Sequence, residues 1–490
     1  MNNNTDYFDI RDLLRVVNGI IVFLLLLAYP LSHSSDYLNE FTIFLGCALA
    51  LQTHIGLSKK SGAIDPLAVI LLYYVIVYYT LRIVTLAVFD SSDVFRRFEY
   101  TAEDTNFALV FILIGNACLL LGFRLGGKAV QQFVRKEFSQ DILHVLKPLL
   151  WMLALSVAAN VFGLLDWIAD QSRLLRTLVF FIRPTTWLLV VGVIFVVYYK
   201  EIPRLYFGIY VSIYCVFVLY LTIGGSRGAI IYIIEMFAIL LLRNEKYKIS
   251  KKILYKSMFY GPALTVVLVV TYNFASLQRN VTENSPGSGI ERVWKNFYVA
   301  ITDGDGVNDA KNNIGLIFSR VGFLDMASEI IAHKSEYDSI FNATYYAMSA
   351  IDNVLTPGFD YFDAPKVSYA LVFKHQGYNG GNPSKLYLKE SNIYHSDQVT
   401  IYGELYALFG WWSLMAFFIL AYILKWVYCN CLISHHHYGE VLRRLVVLYF
   451  FVLLINSFGV DWIVVQMLPL ALTAFSVFAY YRGVSRQTRR

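Results

Sequence analysis

Stretches of about 20 apolar residues recur along almost the whole of this 490-residue chain. A helix of that length crosses the ~30 Å hydrocarbon core of a bilayer, where lipid offers no partner for a free backbone N–H or C=O group. The chain is 57% hydrophobic and only 16% charged, whereas soluble domains are about 25% charged. A soluble fold is therefore excluded, and the sequence predicts an all-α polytopic integral membrane protein.

Hydropathy predicts about 12 transmembrane helices and one large loop. The predicted spans are residues 16–32, 38–57, 66–88, 106–124, 148–166, 177–198, 205–223, 227–243, 254–275, 401–425, 441–458 and 461–481. They divide the chain into an N-terminal transmembrane bundle (1–275), a large loop (276–400) and a C-terminal transmembrane bundle (401–490). Within the loop, apolar stretches at 315–332 and 339–355 alternate with turn clusters. This pattern predicts a folded cap with short helices rather than a disordered linker.

The distribution of Lys and Arg residues predicts the orientation of these spans. If the N-terminus is inside, 24 of the 41 positive residues lie on the cytoplasmic side, ten lie in the large loop and seven lie on the short external connections. Long loops contribute little to the positive-inside rule, so the informative comparison is 24 against seven. We therefore expect both termini in the cytoplasm and the large loop outside.

The seven positive residues on the short external connections are all arginines. They are Arg82, Arg96, Arg97, Arg173, Arg176, Arg183 and Arg227. A guanidinium group offers a planar fork of donors that matches phosphate oxygens two at a time, whereas lysine is a point charge. The set therefore favours a phosphate or pyrophosphate head group as ligand. The alternative is that each arginine pairs with a nearby carboxylate. Those available are Asp90, Asp93, Glu99, Asp166 and Asp170.

Arg227 lies in the motif Gly-Gly-Ser-Arg-Gly at the start of the eighth predicted span. Glycines let a backbone approach a ligand closely, and a helix N-terminus offers free N–H groups to an anion. The motif therefore predicts an anion site. The alternative is a plain turn between two helices with an arginine that extends to the interface.

The large loop adds Arg279, Arg292 and Arg320 together with carboxylates and many tyrosines, including Tyr394. Arginines, carboxylates and stacking rings suit a carbohydrate acceptor, although tyrosines are also ordinary interface anchors. His395 and Asp397 precede the tenth predicted span, and Glu404 lies just inside it. Any of these three groups could serve as a general base at the membrane surface.

Two metal-like patterns fail on inspection. Residues 303–309 resemble a calcium loop, but Val307 stands at a ligand position and the sixth place lacks glycine. Cys429, Cys431 and the histidines at 435–437 could bind zinc, yet they lie on the predicted cytoplasmic side, away from every other feature. We predict no metal and no cofactor.

Three short motifs resemble the Wzy-type oligosaccharide repeat-unit polymerases, which build bacterial O-antigens and related polysaccharides. The first is the Gly-Gly-Ser-Arg227-Gly motif. The second is Ser319-Arg320, followed by an apolar helix, Tyr345-Tyr346 and a Pro357-Gly358 turn. The third is Gly403-Glu404-Leu-Tyr406-Ala-Leu-Phe409-Gly410-Trp411. Together with the topology, the resemblance covers most of the chain.

The resemblance implies a metal-independent glycosyltransferase of the bacterial inner membrane, with a GT-C-like fold and a periplasmic loop. Its donor and acceptor would be glycans on undecaprenyl pyrophosphate, a membrane lipid carrier. A chain-length regulator and a flippase would be its protein partners, and nucleic acid would not bind. We expect Arg227 and Arg320 to contribute most to stabilising the leaving pyrophosphate. Arg279 and Arg292 rank next, and the pair Arg173 and Arg176 ranks after them.

Two alternatives remain open. An O-antigen ligase transfers a finished glycan from the same carrier to lipid A core, and it shares this topology and these arginines. A flippase or transporter of lipid-linked sugars belongs to a different class. A transporter would be expected to have charged residues within the membrane and a pair of broken helices in related halves. The sequence shows few such charges and no such pair of helices.

Overall fold

The computed structural model shows a helical bundle. It describes residues 7–30, 36–57, 65–88, 100–127, 141–172, 175, 178–179, 182–198, 202–223, 248–250, 255, 323–337, 343–351, 362, 400–430, 438–455, 476 and 479. Apart from three isolated positions, the predicted spans 227–243, 254–275 and 461–481 lie outside these residues. Nine of the twelve predicted spans can therefore be compared with the structure.

The regular secondary structure of the described residues is helical except for one short pair of strands. The N-terminal elements are β1 (Tyr7–Asp9), α1 (Ile10–Ala28), α2 (Glu40–Leu57), α3 (Pro66–Val75), a π-helix (Ile76–Thr80), α4 (Leu81–Val88), α5 (Ala102–Leu125), α6 (Asp141–Val161), α7 (Leu164–Gln171), α8 (Pro184–Val197), α9 (Arg204–Ile223) and β2 (Lys248–Ser250). The remaining elements are α10 (Phe323–Ala332), α11 (Lys334–Tyr337), α12 (Ala343–Ala350), α13 (Thr400–Phe409), a 3-10 turn (Gly410–Trp412), α14 (Ser413–Asn430) and α15 (Tyr438–Ile455).

Five of the described helical stretches are long and apolar enough to cross a membrane. They are Glu40–Leu57, Pro66–Ala87, Ala102–Leu125, Arg204–Ile223 and Thr400–Asn430. A sixth is added if α6 and α7, which are bent by 76° relative to each other, form one broken span. These helices are those of an integral membrane protein, and each of the nine comparable predicted spans overlaps a helix. The total of about 12 spans stays a prediction.

Polar residues fix where several of these helices begin. The Asp9 side chain accepts a hydrogen bond from the Arg11 backbone N–H at the start of α1, and Asp65 caps α3 ahead of Pro66. Thr101 and Asp104 form a reciprocal capping box at the start of α5. Such caps satisfy backbone N–H groups that have no partner within the helix, so they set helix boundaries in an otherwise uniformly apolar sequence.

Contacts between helix ends show that α1, α2, α3–α4 and α5 alternate in direction. At one end, Arg15 donates to the Leu57 carbonyl at 2.6 Å, and Lys425 lies 2.7 Å from Asp65. We call this the Lys425 end. At the other, the Ala102 N–H donates to the Asp36 carbonyl at 3.1 Å, and Arg82 on α4 belongs to the same end of the bundle. We call this the Arg82 end.

The two strands tie distant parts of the chain together at the Lys425 end. Strand β1 leads directly into α1 and pairs with β2 in antiparallel register, with Tyr7 opposite Ser250 and Asp9 opposite Lys248. The N-terminal segment and residues 248–250 therefore lie on the same side of the bundle. The Lys and Arg count assigned both of these segments to the cytoplasmic side, so the pairing is consistent with that prediction.

Helices α13 and α14 form a hairpin rather than one straight helix. The rings of Tyr402 and Phe417 lie with centroids 5.1 Å apart, whereas 15 residues along a continuous helix would separate them by about 22 Å. Phe111 on α5 contacts residues on both arms, with ring centroids 4.8 Å from Tyr406 and 5.9 Å from Phe417. The single helix predicted over 401–425 is therefore wrong in detail, because the chain reverses at Gly410.

The turn of this hairpin has the chemistry of a membrane interface. Gly410 adopts a φ of +54°, a left-handed conformation that glycine reaches without steric cost. Trp412 at the turn is 79% exposed and Trp411 is 46% exposed. Tryptophan favours the boundary between hydrocarbon and head groups, so this turn is suited to lie at the interface while α14 crosses the membrane.

Helix α14 packs unusually closely against α5. A Cβ atom at Gly122 would lie 2.5 Å from the Phe418 carbonyl oxygen, and one at Gly126 would lie 2.6 Å from the Tyr422 carbonyl oxygen. Small residues four apart let two helix backbones approach in the way that membrane helices commonly use. The contact fixes the hairpin against the N-terminal part of the bundle.

Helix α10 belongs to the predicted large loop, yet it lies in the core of the bundle. Eight consecutive residues, Phe323 to Ile330, are buried. The Phe323 ring lies with its centroid 4.9 Å from that of Tyr78 and 6.2 Å from that of Tyr74. Helix α10 also packs against α5 and α13. At least this part of the loop is thus integrated with the transmembrane helices.

Candidate functional site

Arg82 on α4 and Asp325 on α10 form a buried ion pair. The Arg82 Nη2 atom lies 2.5 Å from Asp325 Oδ2, and Nε lies 3.1 Å from Oδ2 and 3.3 Å from Oδ1. The side chains are 2% and 1% exposed. This two-pronged arrangement is the strong form of a guanidinium–carboxylate contact. It joins residues 243 positions apart in the chain.

Two further hydroxyl groups complete the cluster around this pair. Arg82 Nη1 donates to Thr85 Oγ1 at 3.2 Å, and the Tyr100 hydroxyl donates to Asp325 Oδ1 at 3.0 Å. Burial, and then the neighbouring Asp325 carboxylate, raise the pKa of the Tyr100 phenol well above its usual value. Tyr100 therefore stays protonated and remains a donor to Asp325. The cluster connects α4, the residue before the α5 capping box and α10.

The geometry gives Arg82 a structural role. Its guanidinium group is directed at Asp325 and Thr85, as in the alternative explanation for the external arginines. Its partner is none of the carboxylates that the sequence suggested, because Asp325 comes from the large loop. Breaking a buried pair of this kind costs about 3–5 kcal/mol, since one charge is left without compensation. In the sequence, the signal was the single charge of Arg82 in the apolar stretch 66–88 and the acidic residues Asp325 and Glu329 within the apolar stretch 315–332.

The C-terminal end of α10 carries a second group of polar side chains. His333 Nε2 lies 3.8 Å from Glu329 Oε2, which is 3% exposed. The Lys334 ammonium group donates to the Ala407 carbonyl at 2.8 Å. That contact links the end of α10 to α13. The short helix α10 is thus attached to the bundle near both of its ends, to α4 through Asp325 and to α13 through Lys334.

Apart from Arg82 and Arg183, which belong to the set of external arginines, Glu404 is the one predicted site residue that the described part of the chain contains. It lies on α13 and is fully buried. The sequence placed it just inside the tenth predicted span. In the structure α13 contacts α10 and α14, and the carboxyl group is shielded from water. A buried carboxylate is a functional candidate on physical grounds.

The N-terminus of α13 meets the π-helix of the α3–α4 segment. The Tyr79 hydroxyl and the Thr400 hydroxyl lie 3.1 Å apart and share a hydrogen bond. Thr400 has a φ of +42°, a conformation that is rare for a β-branched residue. π-Helical turns occur frequently at functional sites. Strained backbone and an irregular helix therefore coincide where α13 begins inside the bundle.

The other predicted site residues lie outside the described residues. They are Arg227, Arg320, His395, Asp397, Arg279, Arg292, Arg173, Arg176 and Tyr394. The suggested zinc ligands Cys431 and His435 to His437 lie outside them as well. Among the residues that the structure does describe, no group of three or more His, Cys, Asp or Glu side chains could hold a metal ion.

A second ion pair, buried on the lysine side only and not predicted from the sequence, lies at the Lys425 end. Lys425 on α14 is 2% exposed, and its Nζ atom lies 2.7 Å from Asp65 Oδ2 ahead of α3. The ammonium group also lies 5.1 Å from the centre of the Tyr428 ring. The segment from Asp65 to Arg82 is therefore held by a charge contact at each of its ends.

Comparison with known proteins gives no further constraint. No family model matches this chain, no curated protein matches it, and no solved structure matches it.

Proposed function

We propose that this protein polymerises oligosaccharide repeat units carried on undecaprenyl pyrophosphate. A hydroxyl oxygen of the acceptor sugar attacks the anomeric carbon of the donor glycan. The bond from that carbon to the pyrophosphate oxygen breaks, undecaprenyl pyrophosphate leaves, and the hydroxyl proton passes to a protein base. The growing glycan is thereby transferred to the acceptor's carrier lipid.

The Arg82–Asp325 pair is the observation that carries the proposal. A polymerase of lipid-linked sugars must bring two substrates together at a membrane surface, so a large loop can contribute only if it is fixed relative to the helices. Asp325 belongs to that loop and is buried against Arg82 with a full set of donors. This supports a composite site, built by the loop and the bundle together.

The order of residues along the chain supports the same location. Arg320 precedes the first residue of α10 by three positions, and Asp397 precedes the first residue of α13 by three positions. Phe323 and Thr400, the first described residues of these helices, are both buried in the bundle. Arginines favour a developing negative charge on a leaving pyrophosphate. In the proposal, Arg227 and Arg320 contribute most to stabilising this charge. Arg279 and Arg292 rank next, and Arg173 and Arg176 rank after them.

The proton acceptor belongs to the same region. His395, Asp397 and Glu404 are the candidates, and Tyr394 would stack on a sugar face. The reaction would need no metal, because fixed arginines supply the positive charge. The proposed setting is the bacterial inner membrane, with both termini in the cytoplasm and the loop in the periplasm, beside a flippase and a chain-length regulator.

Reconstituted membranes with lipid-linked repeat unit as the only substrate test this proposal. We expect a ladder of products that persists in the presence of EDTA. Arg227→Ala and Arg320→Ala should abolish the ladder while the protein remains at normal abundance. Arg124→Ala is the matched control, because Arg124 is exposed in the last turn of α5. Full activity of Arg227→Lys would contradict the two-pronged phosphate contact.

The same assay distinguishes a polymerase from a ligase, because a ligase would form product only when lipid A core is added. A ladder without core acceptor excludes it.

Transport of lipid-linked sugars remains a second candidate because of two structural features. Ion pairs lie at both ends of the α3–α4 segment, and the described parts of α10 and α13 are short helices packed inside the bundle. Transporters commonly bind substrates at interrupted helices. Hydropathy alone showed little sign of either feature. Movement of a fluorescent lipid-linked sugar across vesicles, without any polymer, would favour transport over polymerisation.

A further inference from the structure

Helix α10 is held by polar contacts of two different kinds. Near its start, Asp325 binds Arg82 and Tyr100. Just after its end, Lys334 donates to the Ala407 carbonyl on α13. Between these contacts the buried side chains are the apolar Met326, Ala327 and Ile330 and the polar Ser328 and Glu329. The polar contacts therefore decide which of several similar packing positions α10 adopts.

Apolar packing alone specifies the position of a helix poorly. A helix with apolar residues on several faces can shift by a turn, about 5.4 Å, and still bury a similar surface. A buried carboxylate cannot shift in this way, because it would leave both its own charge and that of Arg82 without compensation. Asp325, in the buried part of α10, has the guanidinium group of Arg82 as its partner.

We propose that Asp325 is a positioning residue for the transferase reaction. Through Arg82 it fixes the register of α10, and through α10 it fixes α13, which carries Glu404. Helices α10 and α13 pack directly against each other, so a shift of one displaces the other. The inference rests on the proposed function. It assigns to the Arg82–Asp325 pair a role in turnover that is separable from its contribution to stability.

A variant that removes both charges at once distinguishes the role of the pair in turnover from its contribution to stability. Replacing a buried ion pair by apolar side chains of similar size is often neutral for stability, so Arg82→Met combined with Asp325→Leu should fold, at the cost of the hydrogen bond that the Tyr100 hydroxyl donates to Asp325. If the pair sets the register of α10, this double variant should show a kcat reduced by about tenfold or more, with KM within about threefold of wild type. Wild-type kcat in a folded double variant would overturn the proposal.

A conservative variant tests the same idea if the double variant fails to fold. Asp325→Glu keeps the charge but lengthens the side chain by one methylene, so Arg82 can be satisfied only if α10 moves. We expect reduced kcat together with faster amide hydrogen exchange over residues 323–332, and normal protein abundance. Unchanged kcat and unchanged exchange in Asp325→Glu would refute the positioning role.

The ion pair at the opposite end supplies the matched control. Asp65→Asn combined with Lys425→Met also removes a charge contact, one in which only the lysine is fully buried, at the end of the bundle opposite to Arg82. Its turnover per folded molecule should stay within about twofold of wild type. An equal loss of turnover in this control would mean that any buried pair is needed, which overturns the inference. If the wild type itself forms no polymer, the proposed function fails instead.

Discussion

The ammonium group of Lys425 lies 2.7 Å from the carboxylate of Asp65, and the two residues differ greatly in exposure. The Lys425 side chain is 2% exposed, whereas the Asp65 side chain is 25% exposed. A charge that reaches water is partly stabilised when its partner is removed, whereas a fully buried charge is not. The two halves of this pair should therefore respond differently to substitution.

We expect Asp65→Asn to destabilise the protein more than Lys425→Met. Asparagine keeps the oxygen that accepts from the Leu67 N–H and so preserves the helix cap, but it leaves a buried ammonium group at a cost of about 3–5 kcal/mol. Lys425→Met leaves a carboxylate that water can reach, at a cost of about 1–2 kcal/mol. Thermal unfolding in detergent measures both, and the reverse order would contradict this account.

Close packing of α5 against α14 predicts a second pair of outcomes. A Cβ at Gly122 would meet the Phe418 carbonyl oxygen at 2.5 Å and the Ala421 Cβ at 2.7 Å. Gly122→Ala should therefore destabilise the protein by about 2–3 kcal/mol, because backbone rather than a flexible side chain must move. At Gly208 on α9, by contrast, an added Cβ would have no atom within 4 Å.

Gly208→Ala is accordingly the control, and it should stabilise the protein by about 0.5–1 kcal/mol through helix propensity. The unfolding midpoints of the two alanine variants should therefore lie on opposite sides of the wild-type value. Equal midpoints would show that α5 and α14 can separate without cost.

The reversal of the chain at Gly410 predicts a conformational effect. Its φ of +54° is left-handed, and no atom lies within 4 Å of an added Cβ. Substitution therefore strains the backbone without causing a clash. Gly410→Ala should cost about 1–2 kcal/mol, and Gly410→Asn should cost less, because asparagine tolerates this conformation. If asparagine were as harmful as alanine in thermal unfolding, the strain would not be conformational.

The sequence was sufficient to predict the class of fold, because apolar stretches of membrane-spanning length leave no soluble alternative. It could not predict the hairpin. Residues 401–425 are mostly apolar, and the contact of Tyr402 with Phe417 depends on one left-handed glycine that hydropathy does not register. Helix propensity and hydropathy are averaged over windows of many residues, so neither detects a reversal at a single glycine.

The candidate site was predictable only in part, for a related reason. Arg82 was recognised as an unusual external arginine, and Glu404 was recognised from its motif. The pairing of Arg82 with Asp325 joins two apolar stretches 243 residues apart, and no local pattern encodes such a distance. Asp65 and Lys425 are 360 residues apart and were missed for the same reason. Long-range charge pairing is a property of the packed bundle.

Two neighbouring tyrosines provide the last prediction, because their hydroxyl groups differ in bonding. The rings of Tyr79 and Tyr402 lie with centroids 5.5 Å apart, and both side chains are fully buried. The Tyr79 hydroxyl bonds to Thr400, whereas that of Tyr402 has no hydrogen-bond partner among the described residues. Burying an unpartnered hydroxyl costs about 1–3 kcal/mol.

Tyr402→Phe should therefore raise the unfolding midpoint, corresponding to a gain of about 1 kcal/mol. Tyr79→Phe should lower it by a similar amount, because the Thr400 hydroxyl loses its partner. Both variants remove the same single oxygen from the same aromatic cluster, so each controls for the other. A lower midpoint in Tyr402→Phe would mean that its hydroxyl is satisfied in the membrane-embedded protein, for example by a buried water molecule bridging to α5.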